Sequence, residues 1–124
     1  MPSASEQREP RDWRLYLLDM EIFAKRAMGY CSGFDQQQFE ANPLVQDAVL
    51  RNIELIGEAA GRIPDEFRQA HPEIQWRQIV AMRNQLIHGY LGIDLDIVWD
   101  VVCVELPALL RECQNLGNHQ SPGE

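Results

Sequence analysis

The stretch NPLVQDAVLRNIELIGEAAG, residues 42–61, decides the fold class of this chain. Asn42 and Pro43 form a helix start, because Asn can accept a hydrogen bond from a free backbone N–H and Pro has no N–H to leave unpaired. The stretch predicts a long helix from Pro43 to about Ala60, with Gly61 as its stop. Apolar residues recur every three or four positions along it, which is the spacing of one buried face: Leu44, Val45, Ala48, Val49, Ile53, Ile56, Ala59 and Ala60.

Similar patterns flank this stretch on both sides. The spacing of apolar residues predicts one long helix over residues 11–30 and another over residues 74–89. Two short helices are expected in the connections, one over residues 36–41 with Asp35 as its cap and one over residues 64–70. The chain therefore alternates long helices with short connections.

The last helix is predicted over residues 95–113, with Asp94 as its cap and a kink at Pro107, whose ring removes one backbone donor. A strand is the alternative for residues 97–104, which are rich in β-branched side chains, but the length of the pattern favours a helix. Its apolar residues form two stripes. Either both stripes are buried deep within the monomer, or one faces the core and the second contacts another copy in a homodimer. The first is Val98, Val102, Leu106 and Leu109; the second is Ile97, Val101, Val104 and Ala108.

Together these helices predict an all-α, up-down antiparallel four-helix bundle with extra short helices. The 124 residues fit one domain. We expect the bundle to span residues 11–113, after a flexible N-terminus over residues 1–10. Residues 114–124 contain turn formers and little to bury, so they are expected to be a disordered tail.

The net charge of −8 argues against a protein that binds nucleic acid through long-range electrostatic attraction, because such binding requires an excess of Lys and Arg. A small local basic site is still compatible with that charge. The three cysteines lack metal-ligand spacing, and the N-terminus has no apolar signal segment. The most apolar stretch, residues 95–110, is interrupted by acids and does not fit a membrane span. These features predict a soluble cytoplasmic protein.

The stretch RNQLIHGY, residues 83–90, carries the candidate chemistry at the end of the third long helix. The helix dipole favours a charged histidine there, so His88 is suited to donate a proton near neutral pH. Arg83 offers a planar fork that matches phosphate oxygens. These groups suffice for RNA cleavage without a metal, in which the 2′-hydroxyl attacks and a 2′,3′-cyclic phosphate results. A two-fold dimer would supply two histidines, one as base and one as acid.

Structural explanations are also open for these residues. An Arg and a His five positions apart occur by chance in many helical proteins, as a surface arginine and a histidine that caps the helix. Tyr90 alone fits a packed aromatic with a solvated hydroxyl. Glu58 is a single acid on an apolar helix, and we expect it to pair with an arginine.

The sequence of residues 42–60, 82–102 and 106–109 resembles the HepT-like proteins of the HEPN superfamily, the toxin halves of bacterial toxin–antitoxin pairs. The resemblance covers about residues 11–112. It implies a helical homodimer with a metal-independent, cofactor-free RNase site at the interface, built on an R-x4-H-x-Y pattern. By position, Arg83 and His88 would be the catalytic pair. Asn84 would be the polar residue that helps to orient them.

The resemblance also implies a partner and an off switch, as in type VII-like toxin–antitoxin systems. In that family the antitoxin is a minimal nucleotidyltransferase of the MntA type, which adds AMP to the motif tyrosine, here Tyr90. A bulky anion beside His88 would repel an RNA phosphate. Two other functions stay open: a non-catalytic helical adaptor that binds a nucleotidyltransferase, and a plain structural dimer in which Arg83 and His88 are replaceable.

Overall fold

The computed structural model describes residues 12–87 and 92–119, in which all regular structure is helical. This confirms the predicted all-α bundle with extra short helices. Three long helices are followed by a last helical unit, made of α6, a π-helical segment and α7. The elements are α1 (Trp13–Tyr30), α2 (Gln36–Glu40), α3 (Pro43–Arg62), α4 (Asp65–Ala70), α5 (Trp76–Ile87), α6 (Leu95–Asp100), the π-helical segment (Val101–Glu105) and α7 (Leu106–His119).

The helix starts form where the sequence places capping residues. The Asn42 side chain accepts a hydrogen bond from the Val45 N–H at 3.1 Å, and Asp94 accepts one from the Asp96 N–H at 2.9 Å. Asp35 forms a capping box, in which its carboxylate and the side chain of the third helical residue bond each other's backbone N–H groups. All three predicted caps are confirmed.

The core lies between α1, α3 and the last helical unit, with α5 packed against α3. The predicted stripe of α3 is buried at five positions, but Leu44 in the first turn is 79% exposed. The largest fully buried side chains come from α1, α2, α3, the residue after α3 and the last unit: Met20, Phe39, Val49, Ile53, Ile56, Ile63, Leu106 and Cys113. No helix in the described residues is long and apolar enough to cross a membrane.

The end of α3 differs from the prediction that Gly61 stops it. The helix continues to Arg62, and Gly61 keeps ordinary helical backbone. Ile63 is extended, with φ −71° and ψ 134°, because the following proline disfavours helical backbone in the residue before it. Pro64 therefore ends the helix, and the buried Ile63 side chain holds the chain in place there.

The last helical unit is longer than predicted. It continues to His119, so the disordered tail expected from residue 114 is wrong for residues 114–119. Cys113 and Leu116 are both buried, and this burial stabilises the extra turns. The flexible N-terminus expected over residues 1–10 and the tail beyond residue 119 lie outside the described residues.

A kink is predicted at Pro107, and the structure has a π-helical segment, Val101–Glu105, just before this proline. The Leu106 N–H bonds the carbonyl of Val101, five residues back. A proline ring in regular α-helix would clash with the carbonyl four residues earlier. The wider π turn accommodates that ring without ending the helix.

Candidate active site

Arg83 lies on the side of α5 that faces α3, directly over Gly57. A Cβ atom added at Gly57 would lie 2.3 Å from the Arg83 Cβ and 2.7 Å from its Cγ. Glycine inside a helix costs up to about 1 kcal/mol relative to alanine. The close approach of the arginine stem accounts for the glycine at this buried position of α3.

Glu58, the next residue of α3, faces the charged end of the same arginine. Its Oε1 lies 3.7 Å from Arg83 Nη2, and the two side chains are 41% and 30% exposed. This ion pair confirms the expectation that Glu58 pairs with an arginine, and it identifies the arginine as that of the motif. Pairs this exposed contribute at most about 1 kcal/mol to folding. The contact therefore matters more for the direction of the guanidinium than for stability.

Asn84 holds the other side of the guanidinium. Arg83 Nη1 donates to Asn84 Oδ1 at 3.3 Å. Arg83 Nε is buried, and none of the described residues accepts a hydrogen bond from it. A buried donor without a partner costs about 1–3 kcal/mol, so this N–H calls for an acceptor. Arg83 and Asn84 are therefore in contact, and N–H groups of the guanidinium remain available beyond the one that Asn84 accepts.

The other two motif residues, His88 and Tyr90, lie outside the described residues. Helix α5 is described as far as Ile87, and its side chains as far as Asn84. The structure therefore brings together Arg83, Asn84 and two residues that the motif does not contain. The sequence signal for those two is a glycine followed by a single acid within an apolar helix, IGEAA.

The cysteines do not offer an alternative nucleophile. Burial raises the pKa of the Cys113 thiol to about 12, with Glu21 and Glu112 adding to the shift. Burial also raises the pKa values of Cys31 and Cys103. A thiol reacts as its thiolate, which raised pKa values make scarce near neutral pH. Among the described residues, no group of His, Cys, Asp and Glu is arranged to hold a metal ion.

A groove of about 550 Å³ separates α5 from the last helical unit. Its floor is apolar and includes Met82 and Val101, while four acids, Glu73, Asp100, Glu105 and Glu112, lie among its lining residues. None of the described residues that line the groove is a Lys or Arg. Since phosphates need positive partners, the groove suits contact with protein rather than with RNA.

Comparisons with known proteins identify the family of this chain. The family model described as Ribonuclease HepT-like matches residues 20–116. A candidate RNase of Methanocaldococcus jannaschii is 34% identical over 104 residues, covering 84% of this chain and 95% of its own length. A candidate RNase of Caldanaerobacter subterraneus is 32% identical, covering 86% and 93%.

A protein of Thermococcus cleftensis assigned as ribonuclease HepT is 40% identical over 80 residues, covering 64% of this chain and 73% of its own length. No solved structure matches the chain. The matched residues include all of α3 and α5, which carry the arginine site. These matches confirm the resemblance and the expectation of a ribonuclease: the chain belongs to the HepT-like ribonuclease family.

Proposed function

We propose that this protein is an endoribonuclease toxin that cuts RNA without a metal ion, with Arg83 and His88 as its catalytic pair and Asn84 in support. The observation that carries the proposal is the held guanidinium of Arg83. Its stem rests on α3, its ends contact Glu58 and Asn84, and its buried Nε–H has no acceptor among the described residues. A guanidinium preorganised in this way suits a phosphate group, which its exposed N–H groups would contact.

The chemistry needs few protein groups, because the RNA supplies its own nucleophile. A histidine base takes the proton of the 2′-hydroxyl while its oxygen attacks the adjacent phosphorus. The bond from phosphorus to the 5′-oxygen breaks, and a histidine acid protonates that oxygen. The products are a 2′,3′-cyclic phosphate and a 5′-hydroxyl. The Arg83 fork stabilises the negative charge that builds up on the phosphate oxygens.

The proposal includes a homodimer, since the base and the acid would be the His88 residues of two chains. The exposed part of the second apolar stripe supports it: Ile97 is 50% exposed and Val104 is 56% exposed. Deep burial within the monomer accounts for Val101 in that stripe but not for these two. None of the described residues covers the apolar floor of the groove beside α5. A second copy would remove this apolar surface from water.

Tyr90 is the proposed off switch, and a minimal nucleotidyltransferase antitoxin of the MntA type is the proposed partner. Transfer of AMP to the Tyr90 hydroxyl would place a phosphodiester anion two positions from His88. That anion would repel the RNA phosphate and occupy space at the site. The pattern of Arg83, His88 and Tyr90 in the sequence supports this step.

The testing experiment uses purified full-length protein, labelled RNA and a buffer with chelator. Wild type should cut RNA and leave cyclic phosphate ends, and His88→Ala should not. Expression with and without the nucleotidyltransferase, followed by intact mass and the same assay, tests the switch. Cleavage that persists in purified His88→Ala, or that requires Mg²⁺, would contradict the proposal.

A second function, that of a non-catalytic adaptor, is favoured by the acidic groove. A groove with an apolar floor and four acids, whose described lining contains no Lys or Arg, fits a basic amphipathic segment of a partner. An adaptor would bind the nucleotidyltransferase with a dissociation constant unaffected by His88→Ala. It would also leave RNA intact in every form tested.

A further inference from the structure

We propose that Glu58 is a positioning residue, which fixes the direction of the Arg83 guanidinium for its contact with an RNA phosphate. The inference rests on the proposed ribonuclease function. It concerns a residue outside the R-x4-H-x-Y pattern, on a different helix from the motif.

The geometry leaves the arginine little freedom. Contact with Gly57 extends along the stem from Cβ to Cδ, which would lie 3.1 Å from a Cβ at that position. The aliphatic stem therefore packs against α3, and the guanidinium can rotate only about the bonds beyond Cδ. Glu58, one residue further along α3, faces Nη2 and restricts these rotations. One turn of α3 thus sets both the location and the direction of the Arg83 fork.

The Glu58 carboxylate is unfavourable for RNA binding by Arg83, so its position is useful only if it orients the arginine. A negative charge 3.7 Å from Nη2 reduces the attraction of Arg83 for RNA phosphate. It adds little stability, because both side chains are partly exposed. Held in one direction, however, the fork presents its remaining N–H groups to the reacting phosphate. Reaction rates are sensitive to such placement, and a shift of about 1 Å can cost roughly 100-fold.

The same helix provides a matched control. Glu54 lies one turn before Glu58 on α3, and its Oε1 is 3.4 Å from Nη1 of Arg51, which is its ion-pair partner. Glu54→Gln and Glu58→Gln change the net charge of the protein equally. Any effect of lost charge on RNA affinity in general should appear in both variants. An effect through Arg83 should appear only in Glu58→Gln.

The experiment measures kcat and KM for a short labelled RNA with wild type and the two variants. It also records the Arg83 Nε–H resonance by NMR, identified from its loss in Arg83→Lys. For Glu58→Gln we expect kcat to fall about 10-fold while KM stays equal or decreases, because the guanidinium is released but still attracts phosphate. The Arg83 resonance should shift or broaden. Glu54→Gln should leave kcat and the resonance as in wild type.

Two results would overturn the inference. One is wild-type kcat and an unchanged Arg83 resonance in Glu58→Gln. The other is a kcat loss shared by Glu54→Gln, which would assign the effect to net charge. If wild type does not cut RNA, the proposed function fails, and the NMR comparison alone decides whether Glu58 directs Arg83. If cleavage is normal but Glu58→Gln changes nothing, the positioning role fails and the proposed function stands.

Discussion

The Arg83 side chain packs on the backbone of Gly57 so closely that a methyl group there would lie 2.3 Å from the Arg83 Cβ. The clash involves the root of the side chain, which cannot swing away as its tip could. We predict that Gly57→Ala displaces Arg83 and lowers kcat at least about 10-fold, given the rate sensitivity to placement. Overpacking should also cost roughly 1–3 kcal/mol of unfolding free energy, partly offset by the better helix propensity of alanine. Steady-state kinetics and urea unfolding measure both effects.

Gly61→Ala is the matched control for that substitution. Gly61 lies in the same helix, with nothing within 4 Å of an added Cβ. It should keep wild-type kcat and gain up to about 1 kcal/mol of stability, because alanine is the better helix former. A Gly57→Ala variant as active and stable as Gly61→Ala would show that the close contact has no role.

The planar shape of the Arg83 side chain, in addition to its charge, should be required. Arg83→Lys keeps the positive charge but loses the fork that contacts Glu58 and Asn84. We expect kcat to fall about 100-fold, the loss typical when one donor to the transition state is removed. The salt dependence of KM should change little, because the number of cations is the same. Arg77→Lys, at an exposed position of the same helix, is the control and should retain full activity.

The buried Cys113 thiol should make stability depend on alkaline pH. Its pKa in the folded protein is raised from 9.0 to about 12, so the folded state holds its proton where the unfolded state has lost it. The stabilising contribution is present below pH 9 and is lost as pH rises towards 12. Over this window the free energy of unfolding should fall by up to about 1.4 kcal/mol per pH unit from this group. Urea unfolding between pH 8 and 11 measures the slope, which should be shallower in Cys113→Ala; equal slopes would contradict the assignment.

Local signals in the sequence were sufficient for the helices but not for every helix end. The caps at Asn42 and Asp94 act through neighbouring N–H groups, so their residues alone predicted them. Gly61 predicts the end of α3 because glycine often stops helices, yet Pro64 and the buried Ile63 determine where the helix ends. The extension of the last helix beyond Cys113 depends on packing against other helices, which a single pattern does not contain.

The candidate site likewise combines residues that the sequence predicts with residues that only the packing of the helices identifies. The sequence motif predicts Arg83 as a phosphate partner, and the family resemblance adds Asn84, which the structure places in contact with Arg83. Gly57 could not be assigned from the sequence, because its reason is a contact with a side chain 26 positions later. Glu58 was expected to pair with an arginine, but only the packing of α3 against α5 identifies which one.

The second apolar stripe of the last helical unit gives a direct test of the dimer. Val104 is 56% exposed, so a carboxylate there is tolerated in a monomer but must be buried without a partner in a dimer. We predict that Val104→Glu shifts the protein to a monomer in light scattering and abolishes RNA cleavage, while its helical circular dichroism is retained. Leu44→Glu is the control, since Leu44 is an exposed apolar residue on α3, outside that stripe. Leu44→Glu should leave the oligomeric state in light scattering and the RNA cleavage activity unchanged. A Val104→Glu protein that remains dimeric would exclude this stripe as the interface, and a monomer that still cuts RNA would contradict the need for two copies of His88.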